Sequence, residues 1–471
     1  MEPDAYDYSR NVWDESSHLT GKVSYPQYTA NPNYGNVESF QMQGGSEEYF
    51  GSRDGEETVD MVEDVEGEGG SKIGPWQAAW NITNAIQGMF LVSLPYAVLH
   101  GGYWAVVALV GVAYICYYTG IILVDCLYDE SGRRIRNSYR QIAEFCWGKK
   151  IGGRVVLGAQ LTELLMTCIL YVLLSGDLLE GSFPDFVIEK SGWMMLSTVL
   201  LLPCAFLTDI TAVSRLSFYN TVSHVIINAV VLLYCLGRIA SWSWGDVSFT
   251  VNIHTFPTVL GIVVFSYTSH IFLPTLEGSL EDRKKCYKPM LMWSHVAAAA
   301  FKASFALVGF LTFGEYTQEE ISNNMPSQQF KAVLNLILVV KALLSYPLPY
   351  FATVRIVEQT LFGGPPLGSD GRLKDWAIGC RVCLILFTLL VALTTPHFAL
   401  LMGLIGNITG TMLSFVWPSY FHLVIKRELL DKVTVYKNKV IIALGIGFGV
   451  VGVIYSSQQL ARAILDVDEY E

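Results

Sequence analysis

The chain has 471 residues, of which 52% are hydrophobic and only 15% charged, with a mean hydropathy of +0.38. Soluble domains of ordinary size could not enclose the many apolar runs of about 18 residues or more that this chain contains, so a soluble enzyme is excluded and an all-α polytopic membrane protein is expected. The formal charge of −11 does not describe the body of the molecule, because residues 1–71 carry −13 and the remaining 400 carry +2.

Residues 1–71 are rich in Asp, Glu, Gly, Ser, Tyr and Asn and show no apolar period, so this segment is expected to be a disordered acidic cytosolic tail. Tyr34-Gly-Asn-Val37 within it has the form of a tyrosine-based sorting signal, which would make sorting adaptors partners of the tail. The chain start lacks a basic stretch followed by a short apolar one, so the first span is expected to act as the insertion signal.

Apolar windows predict eleven spans, near 75–98, 102–127, 153–180, 192–213, 215–240, 255–275, 288–314, 328–355, 375–396, 398–424 and 438–457. The loops after spans 2, 4, 6, 8 and 10 carry about 20 Lys and Arg against about four in the opposite loops, which places the N-terminus in the cytosol and the C-terminus on the far side. Between spans 2 and 3, residues 137–147 read as a short amphipathic helix at the membrane surface. The nine cysteines fall in spans or cytosolic loops, so no disulfide framework is expected, and Cys380-Arg-Val-Cys383 reads as helix packing. The sequons at Asn81 and Asn407 lie inside spans. Gly406-Asn-Ile-Thr-Gly410 and Gly445-Ile-Gly-Phe-Gly449 permit close helix approach within the chain. Nucleotide-binding, zinc-protease and serine-hydrolase motifs are absent, as is any basic tract suited to nucleic acid, so neither an enzyme nor a cofactor is indicated.

Spans 1 and 6 are poor continuous helices. The first reads Trp80-Asn-Ile-Thr-Asn84-Ala-Ile-Gln87-Gly88-Met89-Phe90 and reaches Pro95; the sixth reads Phe265-Ser266-Tyr267-Thr268-Ser-His270 and reaches Pro274. Five spans apart, they run in opposite directions, so matched interruptions point to an inverted repeat, with repeat one near 75–240, repeat two near 255–424 and an extra helix near 438–457, in a transporter domain covering 72–471. Such breaks suit a zwitterion. Amides exposed near Gln87, Gly88, Met89 and Phe90 can hold a carboxylate, and carbonyls freed near Phe265, Ser266, Tyr267 and Thr268 can accept from an ammonium.

Ionisable groups at bilayer depth need a partner or a task. Glu163 in span 3, Lys302 in span 7 and Lys341 in span 8 are three such groups. Two readings follow: a static ion pair between Glu163 and one lysine, or a titrating Glu163 with Lys302 and Lys341 as alternating counter-charges. His270, in the span 6 break, is a further proton-carrying candidate, whereas His224 and His295 read as satisfied helix histidines and Arg381 as a snorkelling residue.

Five runs in order carry a resemblance: Trp80 to Phe90 continuing through Leu94 to Tyr103, Glu163 to Tyr171, Val264 to Pro274, Lys341 to Pro349 and Pro396 to Gly403. They resemble the amino acid/auxin permease family over essentially everything after residue 72. The resemblance implies a leucine-transporter-like fold with spans 1–5 and 6–10 as its repeats. It also implies loading of inhibitory amino acids, GABA and glycine, into synaptic vesicles by exchange for protons. Asn84 matches a position that contributes to sodium binding in sodium-coupled members. Sodium-coupled carriage across the plasma membrane and a non-transporting receptor-like role are the alternatives; the ranking of GABA, glycine and β-alanine and any part for chloride stay open.

Overall fold

The computed structural model describes residue 86 and residues 88–207, 211–280, 282–367, 373–395 and 397–468; for Met89, 211–221, Lys284 and 466–468 it describes the backbone alone. These residues belong to one compact unit, Glu57–Glu471. The acidic tail, the motif at Tyr34, and Asn81, Asn84 and Gln87 lie outside them. The described residues form helices and turns without a β-strand. Between its ends a helix meets its backbone polar groups within its own segment, which is what permits it to cross lipid.

Span 1 is described from its interruption onward. A 3-10 turn, Met89–Ser93, runs into helix α1, Leu94–Asp125. Gly102 divides α1 into the end of span 1 and the whole of span 2, with φ of 55°. A Cβ at Gly102 would stand 2.0 Å from the Ser248 carbonyl oxygen, so both the left-handed backbone and the close approach require glycine. Helix α2, Tyr139–Trp147, is capped by Ser138, whose hydroxyl accepts from the Gln141 N–H at 3.1 Å. It buries Tyr139, Ile142 and Ala143 and packs on α3, Lys149–Ser182.

Span 4 is α4, Lys190–Leu201, prolonged by a 3-10 turn to Phe206, and span 5 is α5, Thr211–Gly237. Span 6 is broken in two, α6, Phe256–Ser266, and α7, Leu273–Gly278. Span 7 is α8, Arg283–Phe313; span 8 is α9, Gln328–Ser345, continued by α10, Pro347–Phe362. Span 9 is α11, Asp375–Thr394, and span 10 is α12, Phe398–Ile405, followed by π-helical turns and α13, Trp417–Ile425. The eleventh is α14, Lys432–Asp468, longer than the segment expected near 438–457 because the helix extends past its apolar stretch at both ends.

Two faces can be told apart by what meets there. On one, segments following spans 2, 6 and 10 converge: Arg134 pairs with Glu277 at 3.3 Å, Tyr128 donates to Glu277, and Lys426 donates to the Tyr128 carbonyl at 2.8 Å. On the other, the segment before α6 is tied to the end of span 1, Tyr103 N–H donating to the Ser248 carbonyl at 3.1 Å and Thr255 to the His100 carbonyl at 3.1 Å.

The glycine spacings serve packing inside the chain. A Cβ on Gly406 would stand 1.9 Å from the Gly261 carbonyl oxygen, and one on Gly452 would stand 2.2 Å from Cγ of Asn407. Asn407 is buried and donates to the Pro257 carbonyl and the Ser456 hydroxyl, so α6, span 10 and α14 are locked together and its sequon is enclosed. All nine cysteines are free thiols. Cys380 and Cys383 are exposed on α11, which corrects their reading as helix packing: they face outward, as an apolar side chain in a span is free to do.

Candidate functional site

Both interruptions come from the same local grammar. Gly88 takes φ of 46°, closed to most other residues, and Pro95 follows at the start of α1; in span 6 the backbone leaves the helix at residues 267–272 and Pro274 opens α7. Each proline stands in the first turn of a new helix, where its missing N–H is lost at no cost, and the turn before it leaves the regular helical ladder, so its backbone groups must find other partners.

Phe90, just past the first break, sits against Tyr171 of α3 at 5.4 Å between ring centroids, Phe265 of α6 at 5.2 Å and Phe398 of α12 at 6.0 Å. The four rings come from spans 1, 3, 6 and 10 and are all buried. They form an apolar wall beside the freed backbone. Tyr171 and Phe398 carry no periodic signal that marks them apart from other core aromatics.

Of the carbonyls expected to receive an ammonium, two are occupied by the chain itself. The Phe265 carbonyl accepts from the Thr268 N–H at 3.1 Å and the Thr268 hydroxyl at 2.9 Å. The Ser266 carbonyl accepts from Lys302 Nζ, which also donates to the Ile86 carbonyl at 2.8 Å and lies 4.0 Å from the centre of the Tyr267 ring. The carbonyls of Tyr267 and Thr268 receive no backbone donor among the described residues.

Glu163 is buried on α3, with the Thr268 hydroxyl of the span 6 break and the Thr409 hydroxyl of span 10 beside its carboxyl. Each hydroxyl also lies within hydrogen-bond distance of a carbonyl on its own segment, Thr268 of Phe265 at 2.9 Å and Thr409 of Ile405 at 3.3 Å. Either hydroxyl can rotate to donate to an ionised Glu163 or to accept from a protonated one, so the surroundings can meet both forms of the carboxyl.

Among the described residues Glu163 makes no ion pair, so of the two readings the static pair with a lysine is not found in this conformation. Lys302 is held by carbonyls, and Lys341, on α9, meets Nδ1 of His224 on α5. His224 is satisfied as expected, with the Asn228 side chain of its own helix 3.0 Å from its Nδ1 and donating to its carbonyl at 2.8 Å, and Lys341 adds a partner from a second helix. His295 behaves as expected, its Nδ1 2.9 Å from the Leu291 carbonyl.

His270 lies away from Glu163, its Nε2 3.0 Å from the Thr119 hydroxyl of span 2. Thr119 gives its hydrogen to the Ile115 carbonyl, so His270 donates from Nε2 and its Nδ1 is left without a partner. Arg381 does not snorkel. It is buried, paired with Glu358 of α10 at 2.8 Å and donating to the Ala205 and Leu207 carbonyls, because a partner on a neighbouring helix is nearer than the interface.

Two antiparallel helices opened at corresponding places, with unmatched backbone groups, an aromatic wall and an enclosed carboxyl between them, make a secondary transporter rather than an enzyme. The family model for transmembrane amino acid transporter proteins matches residues 71–462, and the chain belongs to that family. Over 413 residues it is 52% identical to a vesicular GABA transporter of Caenorhabditis elegans, covering 86% of this chain and 84% of that one. It is 46% identical over 407 residues to a vesicular inhibitory amino acid transporter of Homo sapiens, covering 83% and 77%. Among solved structures it is similar to the inward-facing conformation of Mhp1, with a TM-score of 0.56 over 88% of this chain and 96% of that one at 12% identity. The fold is thus the expected leucine-transporter-like inverted repeat.

Proposed function

We propose that the chain loads GABA and glycine into synaptic vesicles in exchange for protons, with the N-terminus in the cytosol and the C-terminus in the lumen. The names of the relatives from Caenorhabditis elegans and Homo sapiens support the substrate class and the compartment. In this reading the substrate lies between the two breaks against the Phe90 wall, its carboxylate toward the amides following Gly88 and its ammonium toward the open carbonyls of Tyr267 and Thr268. Asn84, Gln87 and Met89 complete the span 1 side.

The observation that supports the proton coupling is a buried Glu163 with no ion pair among the described residues, beside two hydroxyls that can meet either of its protonation forms. A substrate ammonium arriving at Thr268 favours the carboxylate and expels the proton; its departure favours the acid. One proton leaving an acidic lumen supplies about 1.4 kcal/mol per pH unit, and each 100 mV adds about 2.3, together sufficient to concentrate a neutral zwitterion roughly several hundred-fold. The test is uptake of labelled GABA into acidified proteoliposomes. Accumulation is expected to collapse with a protonophore and to ignore a sodium gradient. Glu163→Gln keeps a hydrogen-bond donor but cannot titrate, so it is expected to abolish gradient-driven accumulation at normal membrane abundance. Proton-driven accumulation retained in that variant removes Glu163 from coupling, and dependence on sodium favours the plasma-membrane type of carrier.

A further inference from the structure

Lys302 is a charge enclosed in protein, at 0% exposure, with no carboxylate in ion-pair reach among the described residues. Its three N–H bonds have three destinations: the Ile86 carbonyl, the Ser266 carbonyl and the face of Tyr267. Ile86 lies just before the Gly88 turn, and Ser266 is the last residue of α6. The ammonium therefore docks on the carbonyl end of α6, with the negative pole of its aligned peptide dipoles, and on the backbone just ahead of the Gly88 turn. Two backbone carbonyls plus an aromatic face is also the ligand set that a partly dehydrated monovalent cation would accept at interrupted transporter helices.

We propose that Lys302 is a tethered cation: its ammonium fills the cation position between the two breaks, ties span 1 to span 6, and takes the place of a free sodium ion there. The inference rests on the transport reading for its purpose but not for its test. A fixed ammonium cannot be diluted or exchanged, so the tie is present at any sodium concentration. It opens only when the ammonium leaves the carbonyls, through movement of α8 or transfer of its proton. The substrate ammonium then competes for carbonyls beside those Lys302 holds, which links occupancy of the site to the separation of the two breaks.

The experiment is thermal unfolding of the purified full chain in detergent, without substrate, in sodium chloride and in choline chloride of equal ionic strength. The wild-type midpoint is expected to be the same in both salts. Lys302→Ala is expected to lower it by at least about 5 °C, and propylammonium, which restores the missing ammonium and part of its stem, to recover a substantial share, with choline giving none. Lys302→Met, which keeps the apolar stem without the charge, is expected to be destabilised and not recovered by the amine. A wild-type midpoint that rises with sodium overturns the proposal, as does a Lys302→Met protein as stable as wild type. Should Lys302→Ala fail to accumulate, the wild-type comparison in the two salts still decides. None of these readouts needs flux, so a protein that fails to transport GABA leaves this inference standing or falling on its own.

Discussion

Arg381 and Glu358 join α11 to α10 at 2.8 Å with side chains only 3% and 6% exposed, and the guanidinium also closes the end of span 4 through the Ala205 and Leu207 carbonyls. Removing one member of such a pair leaves the other uncompensated, so Arg381→Met is expected to cost about 3–5 kcal/mol, read as a loss of thermal midpoint in detergent. Arg381→Met with Glu358→Leu is expected to recover much of that loss because no lone charge remains; a double variant as unstable as the single would show that the carbonyl contacts, not the pair, matter. The sequence announces the presence of such groups but not their partners. Hydropathy places Arg381, Lys302 and Lys341 in spans correctly, yet Glu358 lies 23 positions from Arg381 and His224 lies 117 from Lys341, so pairing across helices leaves no local pattern. Carbonyl partners are less visible still. Every residue has one, and only the fold decides that those of Ile86 and Ser266 converge on Lys302.

Elements were more legible than contacts, because polar residues followed by Leu-Pro specify a break whatever the surroundings. That is why span 1 turns at Gly88 as expected and span 6 opens at residues 267–272, two residues past the expected Phe265, whereas the π-helical turns of span 10 and the 3-10 end of span 4 have no comparable signature. Glycine separates the two kinds of information well. Gly406 touches the Gly261 backbone, while Gly447 on α14 has nothing within 4 Å of a Cβ placed on it. Gly406→Ala must push span 10 off α6, since a backbone oxygen cannot rotate aside, and is expected to lose several kcal/mol of stability along with transport. Gly447→Ala meets open space and gains helix propensity, so it is expected to be neutral or to stabilise by up to about 1 kcal/mol. Paired midpoint measurements check both, and equal effects would mean that the approach of span 10 to α6 is looser than the structure has it.

For the molecule as a whole, the face opposite the Lys/Arg-rich loops collects acid groups where segments after spans 3, 7 and 9 meet. Glu319 accepts from the Ala399 N–H at 2.8 Å at the start of α12 and stands 3.9 Å from His397 Nδ1. Glu320 is buried next to Asp177 and Glu319, with Lys190 nearby, Asp177 being paired to Lys190, and His100 and Tyr96 of α1 complete the surroundings. Hydrogen bonding to Glu319 raises the His397 imidazole above its ordinary value against the opposing effect of burial, and burial followed by the Asp177 charge holds the Glu320 carboxyl well above the carboxylate range. Both shifts favour the protonated form in the folded state. The His397 contribution is complete below the ordinary imidazole value and fades as pH climbs through the raised one, and Glu320 weakens the fold once the unfolded carboxyl would release its proton and the buried one has not. The two therefore act in the same direction, and this face is expected to be held more firmly in acid than toward neutrality. Amide hydrogen exchange, corrected for intrinsic rates, is expected to be slower across 317–325 and 397–399 at about pH 5.5 than at about pH 8. His397→Ala is expected to remove part of that difference and Glu320→Gln, which fixes the neutral form, another part. Protection that is equal at both pH values, or greater at the higher one, would mean that these groups are ordinary solvated charges and that the face is held by Asp177, Lys190 and apolar packing alone.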